Sequence, residues 1–254
     1  MREIKSWSIF IEIIQGLQLG SQRLAKYLFR GQADARWDLE SSFGRHAKNN
    51  DVRWALDREF HMQRLFRLDA HNYISSPILP SHTNQLELWW SAMQHYGVST
   101  RLLDWSCSPF VAAYFAVEDL SDKDGAIWIV HPHTVNKVAK DKYGFDGIEF
   151  VDRFITEDDT DLLWFYEPAV KTDRMLAQQC CFSVAANPIK EHSKILLSNH
   201  DEGCLYKYTI PSHLKVEFLR NLNYMNITAR TIYPGLDGLG KSVQEFLKVE
   251  AART

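Results

Sequence analysis

Gln94-His95-Tyr96-Gly97-Val98-Ser99-Thr100-Arg101-Leu102-Leu103-Asp104-Trp105-Ser106 is a polar interruption between two helical stretches. Before it, Gln85 to Tyr96 is aromatic-rich, carries helical spacing and stops at Gly97. After it, Ser108-Pro109 opens a helix running to Glu118, with proline in the first turn, where its missing N–H costs nothing. Ala112, Ala113 and Ala116 on that helix are small enough to let it lie close on a sheet. Ser99 and Thr100 offer donors and acceptors suited to sugar hydroxyls, and Arg101 has Asp104 within reach as a partner that fixes the turn. A purely structural turn is the plain reading of the same residues.

Working outward, Tyr27-Leu28-Phe29-Arg30-Gly31 reads as a short strand ending at a glycine, followed by Gln32 and by Trp37-Asp38-Leu39. An arginine in an apolar strand end is costly to bury unless its guanidinium meets an anion, and the glycine beside it admits a ligand close to the backbone. A structural arginine–carboxylate pair is the alternative. Ser6 caps a helix reaching about Leu19, and Val52 to Leu68 forms a second amphipathic helix, followed by a loop with Pro77 and Pro80. Strands are expected at Gly125–Val130, Leu176–Ala185 and Cys204–Ile210, and a last helix at Gly240–Val249. Helices dominate the first half and strands the second. That order argues an α+β fold in a single domain over 1–254, with the arginine and Ser-Thr motifs in 22–120 and a strand-rich part in 121–254.

Composition bounds the function. The chain has 254 residues, 45% of them hydrophobic and 24% charged, with a net charge of −3. This suits a globular protein with a substantial core and excludes a wholesale basic grip on nucleic acid, though not a local basic groove. No run approaches a membrane span, and the start lacks a signal-peptide pattern, so a cytoplasmic protein with no membrane partner is expected. The four cysteines form no C-x-x-C pair and read as reduced thiols. His131-Pro132-His133 lacks a third ligand, so no metal site is expected. The acidic run Glu157 to Asp161 reads as a solvated loop, and no P-loop or G-x-G-x-x-G is present.

Phe29-Arg30-Gly31-Gln32 with Trp37 and Leu39, then Gln94 through Trp105 with Ser108-Pro109, resemble the FRG-domain family. Arg174 through Gln178-Gln179 to Phe182, and Tyr233-Pro234-Gly235-Leu236-Asp237-Gly238-Leu239, fit the same pattern, so the resemblance spans residues 7 to about 245. More distantly, the chain resembles R–S–E ADP-ribosyltransferases, in which an arginine ends a first strand, a Ser-Thr-Ser strand precedes an alanine-rich helix, and a glutamate lies in a later strand. Arg30 is similar to the first element. Ser99-Thr100-Arg101 is similar to the second, with arginine in place of the final serine. The third falls at Gln178 or Gln179, an amide where that family has a carboxylate.

This resemblance implies a mainly antiparallel mixed sheet and an enzyme that takes NAD as substrate and moves ADP-ribose to a macromolecular acceptor, protein or nucleic acid. It implies Arg30, Gly31, Gln32, Tyr96, Ser99, Thr100, Arg101 and Trp105 at the NAD, with Arg30, Thr100, Gln178 and Gln179 catalytic. Tyr96 or Trp105 would stack on nicotinamide, and His95 beside the Ser-Thr strand is an acid/base candidate. By analogy the role is a toxin or antiviral effector, with an antitoxin or inhibitor as a possible partner. Cleaving NAD develops a ribosyl cation, and a carboxylate about 4 Å away contributes on the order of 4 kcal/mol of attraction at an effective dielectric near 20. Glutamine makes the hydrogen bond without the charge, so Glu167, Asp173 and Glu202 are candidate replacements. The alternative from another class is a non-catalytic nucleotide- or nucleic-acid-binding module, with aromatics interleaved with Arg30, Arg36 and Arg45. A partner-binding antitoxin or chaperone is a third.

Overall fold

The computed structural model describes residues 2–19, 27–70, 72–73, 86–119, 122–144, 161–199 and 204–251. Within them the chain runs β1 (Arg2–Glu3), α1 (Trp7–Leu19), β2 (Leu28–Gln32), α2 (Ser42–Ala47), α3 (Val52–Ala70), α4 (Leu86–His95), β3 (Leu102–Ser106) and α5 (Pro109–Val117). It continues through β4 (Gly125–Val130), α6 (Pro132–Tyr143), β5 (Leu163–Tyr166), α7 (Asp173–Ala177), β6 (Cys180–Ala185), α8 (His192–Asn199) and β7 (Leu205–Ile210). A short 3-10 turn then leads to α9 (Lys215–Tyr224), α10 (Ala229–Ile232) and α11 (Leu236–Ala251).

The seven strands form one sheet in the order β1-β7-β4-β2-β3-β6-β5. Only the β1–β7 pairing is parallel, with Arg2 opposite Tyr208. The fold is therefore α+β on a mixed, mostly antiparallel sheet. Helices are not concentrated in the first half, however: among the described residues five precede Gly125 and six follow it. The 121–254 part is thus as helical as it is strand-rich. Leu176–Ala185 also divides, with its start in α7 and only Cys180 onward in β6. Thr172 caps that helix by accepting from the Met175 amide at 3.1 Å, a local signal stronger than the mixed propensity of the run. The Pro77–Pro80 loop lies outside the described residues.

Both faces of the sheet are covered, which explains why β4 reads as an unbroken apolar run. In β4, Ile127 and Ile129 join a core with Phe29, Tyr208, α5 and α9, whereas Trp128 and Val130 point to the opposite core with Trp105, Phe165 and Leu196. That second core extends beneath the sheet from β7 to β5. On the first face there are two cores instead: one over β2, β4 and β7, and another over β3, β6 and β5 containing Trp90, Leu102, Trp164 and Phe182.

The seam between them follows from the pairing. β2 pairs with β4 over all five of its residues but with β3 only at Phe29 opposite Ser106. Past that point the two strands part. Gly31 serves packing at this seam: a Cβ there would lie 1.8 Å from the Ala112 carbonyl oxygen, so only glycine lets α5 rest directly on β2. The alanines of α5 do the same from the other side, as their spacing implied.

Candidate functional site

A cavity of about 270 Å³ occupies the seam. Phe29, Arg30 and Gly31 of β2, Asp104, Trp105 and Ser106 of β3, and Ala112 and Phe115 of α5 form one side. Gln94 and His95 from the end of α4, and Arg174, Met175, Gln178, Cys180 and Phe182 from α7–β6, form the other. The walls are thus aromatic, with a few polar groups converging between them, which is the usual constitution of a small-molecule site.

Arg30 fills the place where the strands separate. Its Nη1 donates to the Asp104 carbonyl oxygen at 2.6 Å, taking an acceptor that a continuing β2–β3 ladder would have used. Its Nε is buried and has no hydrogen-bond partner. Among the described residues Arg30 makes no ion pair. Burial pulls its pKa down, Asp104 opposes that, and the positive charge of Arg45 adds to it. A buried donor left unsatisfied costs about 1–3 kcal/mol and favours any acceptor that can reach it.

Asp104 is the carboxylate of this cavity, and it was missed as such. It does not brace Arg101. Strand alternation held the signal, because Leu102, Asp104 and Ser106 share the face opposite Leu103 and Trp105. Asp104 Oδ1 accepts from Gln94 Nε2 at 2.7 Å, and Gln94 Oε1 accepts in turn from the Thr100 hydroxyl. Thr100 therefore stands behind the site rather than in its wall. It is buried, and its carbonyl accepts from the Phe43 amide at 3.1 Å, fixing the start of α2.

Arg101 lies elsewhere. It is fully buried, forked onto Glu59 with Nε–Oε distances of 2.8 and 3.0 Å, bonded to the carbonyls of Ala185 and Ala186, and stacked over Trp90 at 5.1 Å. Every face of its guanidinium is occupied by the protein, so it is a core brace and not a phosphate ligand. Ser99 precedes β3 and is outside the cavity wall, as is Tyr96, which is exposed beside His95 and Phe66. Gln32 is buried, accepting from Trp128 Nε1 at 2.6 Å and donating to the Asp38 carbonyl at 3.0 Å.

Of the two glutamines, Gln178 lines the cavity and donates to the Ile232 carbonyl at 3.3 Å. Gln179 does not line it: it turns the chain through a left-handed φ of 49° and accepts from the Cys107 amide. Glu167 is exposed and ion-paired with Lys171, Asp173 is exposed in the first turn of α7, and Glu202 lies outside the described residues. Neither described acid reaches the cavity. The late Tyr233 motif does approach it: the Tyr233 ring lies under the Arg174 guanidinium at 5.0 Å, and its hydroxyl donates to Glu118 at 3.0 Å. The half-buried His95 has a lowered pKa, through desolvation and then the charge of Arg174, so its ring is neutral at pH 7.

Trp105 lines the cavity but is pinned: its Nε1 donates to Ser183 Oγ at 2.8 Å, which bonds His192 Nδ1 at 2.9 Å. His192 is buried and also bonds the Arg101 backbone, and burial, with Arg30 adding, holds its pKa at about 3. In the unfolded chain the ring takes a proton near its ordinary 6.5. Stability is therefore complete above about pH 6.5 and is lost as the pH falls from there toward 3. Unfolding at about pH 4.5 should show a loss of about 3 kcal/mol from this group relative to pH 7, and His192→Gln should flatten that slope. An unchanged slope in the variant would remove His192 from the account.

The other candidates have structural duties. His131 caps α6, its Nδ1 accepting from the Thr134 amide at 3.2 Å, and no cluster able to hold a metal occurs among the described residues. Arg36 is forked onto Asp34 at 3.0 and 2.7 Å, whereas the exposed Arg45 donates to the Glu40 carbonyl and its charge acts on Arg30. Of the acidic run Glu157 to Asp161, only Asp161 is among the described residues, paired with Lys190. No described helix is long and apolar enough to cross a membrane.

Compared with known proteins, residues 25–125 match the family model of the FRG domain. The match holds the Phe29-Arg30-Gly31 and Gln94–Trp105 motifs and ends before Arg174 and Tyr233. No curated protein matches the chain. No solved structure matches it either.

Proposed function

Starting from an FRG domain over residues 25–125, we propose that the protein cleaves NAD and transfers ADP-ribose to a macromolecular acceptor, using the seam cavity. The observation that carries this reading is the pairing of Arg30, with its unsatisfied buried Nε, and Asp104 across one aromatic-walled hollow. Arg30 and Arg174 offer charge-assisted donors to a diphosphate. Trp105, Phe29 and Phe182 provide flat surfaces for a nicotinamide ring.

In the reaction the bond between ribose C1′ and the nicotinamide nitrogen breaks, and its electron pair leaves with nicotinamide. The Asp104 carboxylate, held by Gln94, faces the cationic ribose that results and stabilises it where charge develops. Gln178 hydrogen-bonds a ribose hydroxyl without bearing charge. The acceptor's nucleophile then bonds C1′ and gives up its proton, for which neutral His95 at the cavity edge is the available base. The glutamine at 178 is thereby compatible with turnover, because the missing negative charge comes from β3.

Nicotinamide release from NAD by the purified protein tests this. Release should be measurable for the native chain and fall at least about tenfold in Arg30→Lys, which keeps the charge but loses the fork. If the protein neither binds NAD nor releases nicotinamide, the reading is wrong. NAD binding without release would assign it instead as a nucleotide-binding module.

A further inference from the structure

The thiols of Cys107 and Cys181 lie 3.5 Å apart on the far side of β3 and β6 from the cavity. Cys107 follows the last residue of β3 and bonds back to the Gln179 carbonyl, while Cys181 sits opposite Trp105, so the two are diagonal neighbours on one face. Cys107 is half-exposed and Cys181 is buried. The third cysteine of the group, Cys180, points to the opposite core, toward Asp104. Three sulfurs are close in sequence or space, but only one pair faces itself.

We infer that Cys107 and Cys181 form a peroxide-oxidisable thiol pair that closes to a disulfide, with Cys107 as the attacked sulfur. Two observations separate their roles. Exposure admits a small oxidant to Cys107 and denies it to Cys181. The Cys181 S–H also stabilises a thiolate at Cys107, whose pKa falls to about 7 by that hydrogen bond, while that of Cys181 rises. A thiolate is the reactive form of cysteine, and an optimum attacking thiol has a pKa near ambient pH.

The Cys107 thiolate attacks hydrogen peroxide: an S–O bond forms, the O–O bond breaks, and the hydroxide that leaves picks up a proton as water. The product is a sulfenic acid at Cys107. The Cys181 sulfur, losing its proton, then attacks the Cys107 sulfur, the S–O bond breaks, and a second water leaves. Two thiols are oxidised and one peroxide is reduced to two waters. Ser106 and Cys180, the neighbours of the pair in sequence, both line the cavity, so closing the sulfurs to bonding distance draws on the rim of the site.

The test uses the whole chain and hydrogen peroxide. Intact mass should fall by that of two hydrogen atoms, a reductant should restore it, and peptide mapping should join Cys107 to Cys181. Cys107→Ser should abolish the loss, and Cys180→Ser should leave it in place. Should Cys181→Ser fold poorly because its site is buried, trapping of the sulfenic acid on Cys107 by dimedone in the native chain reports the first step independently. A crosslink through Cys180 or Cys204, or a Cys107 that peroxide leaves untouched, overturns the inference.

Discussion

Asp104→Asn should reduce nicotinamide release by about a hundredfold or more while leaving the fold and NAD affinity nearly unchanged. The change is nearly isosteric, and the asparagine carbonyl still accepts from Gln94 Nε2, so what is removed is charge and not geometry. A carboxylate about 4 Å from a ribosyl cation is worth on the order of 4 kcal/mol at an effective dielectric near 20. With about 1.4 kcal/mol per tenfold in rate, even two-thirds of that amounts to a hundredfold. Because the cation exists only after the glycosidic bond has begun to break, the loss belongs in kcat rather than in binding. Glu167→Gln and Asp173→Asn serve as controls and should leave the rate unchanged, since neither side chain lines the cavity. A variant at Asp104 with native turnover would remove the proposed role of that carboxylate.

The largest loss of stability should come from Glu59→Gln. Arg101 is enclosed by Glu59, two backbone carbonyls and Trp90, so removing the carboxylate's charge leaves a buried cation without its counter-ion. Breaking one partner of a buried pair costs about 3–5 kcal/mol, a large share of a typical folding free energy. Urea unfolding should show the midpoint falling with an unchanged slope. Replacing both partners by apolar residues, Glu59→Leu with Arg101→Met, should recover much of the loss, because the desolvation penalty disappears with the charges. If Glu59→Gln unfolds at the native midpoint, the pair is not what holds α3 to the sheet.

These two variants mark how far the sequence could be read. Strong local segments were legible: β4 is an unbroken apolar run, β7 alternates, and α1 and α5 carry their caps in the chain itself. Of the elements not foreseen, α2, β5 and α8 are short and owe their form to partners distant in sequence, whereas α6 and α9 are longer, and α6 carries its own boundary signals in His131, Pro132 and Gly144. Asn136 of α6, for instance, bonds both the amide and the carbonyl of Phe165 at 2.8 Å and so holds β5 in place.

At the site, Arg30 and Gln178 both line one hollow. Arg101 and Asp104 were paired with each other because they are three residues apart. Their true partners, Glu59 and Gln94, are reached only once α3 and α4 pack on β3. Residue type told that each needed a counterpart. Only the tertiary arrangement could say which one.

The single point of contact between β2 and β3 has a wider consequence. Hydrogen bonds make a sheet cooperative across its width, and here that continuity is reduced to one stitch. The four strands from β1 to β2 and the three from β3 to β5 are two panels hung on a shared backing of side chains. A guest wedged at the join would alter how each panel breathes against the other, so amide exchange along the outermost strands should register occupancy far from where the guest sits.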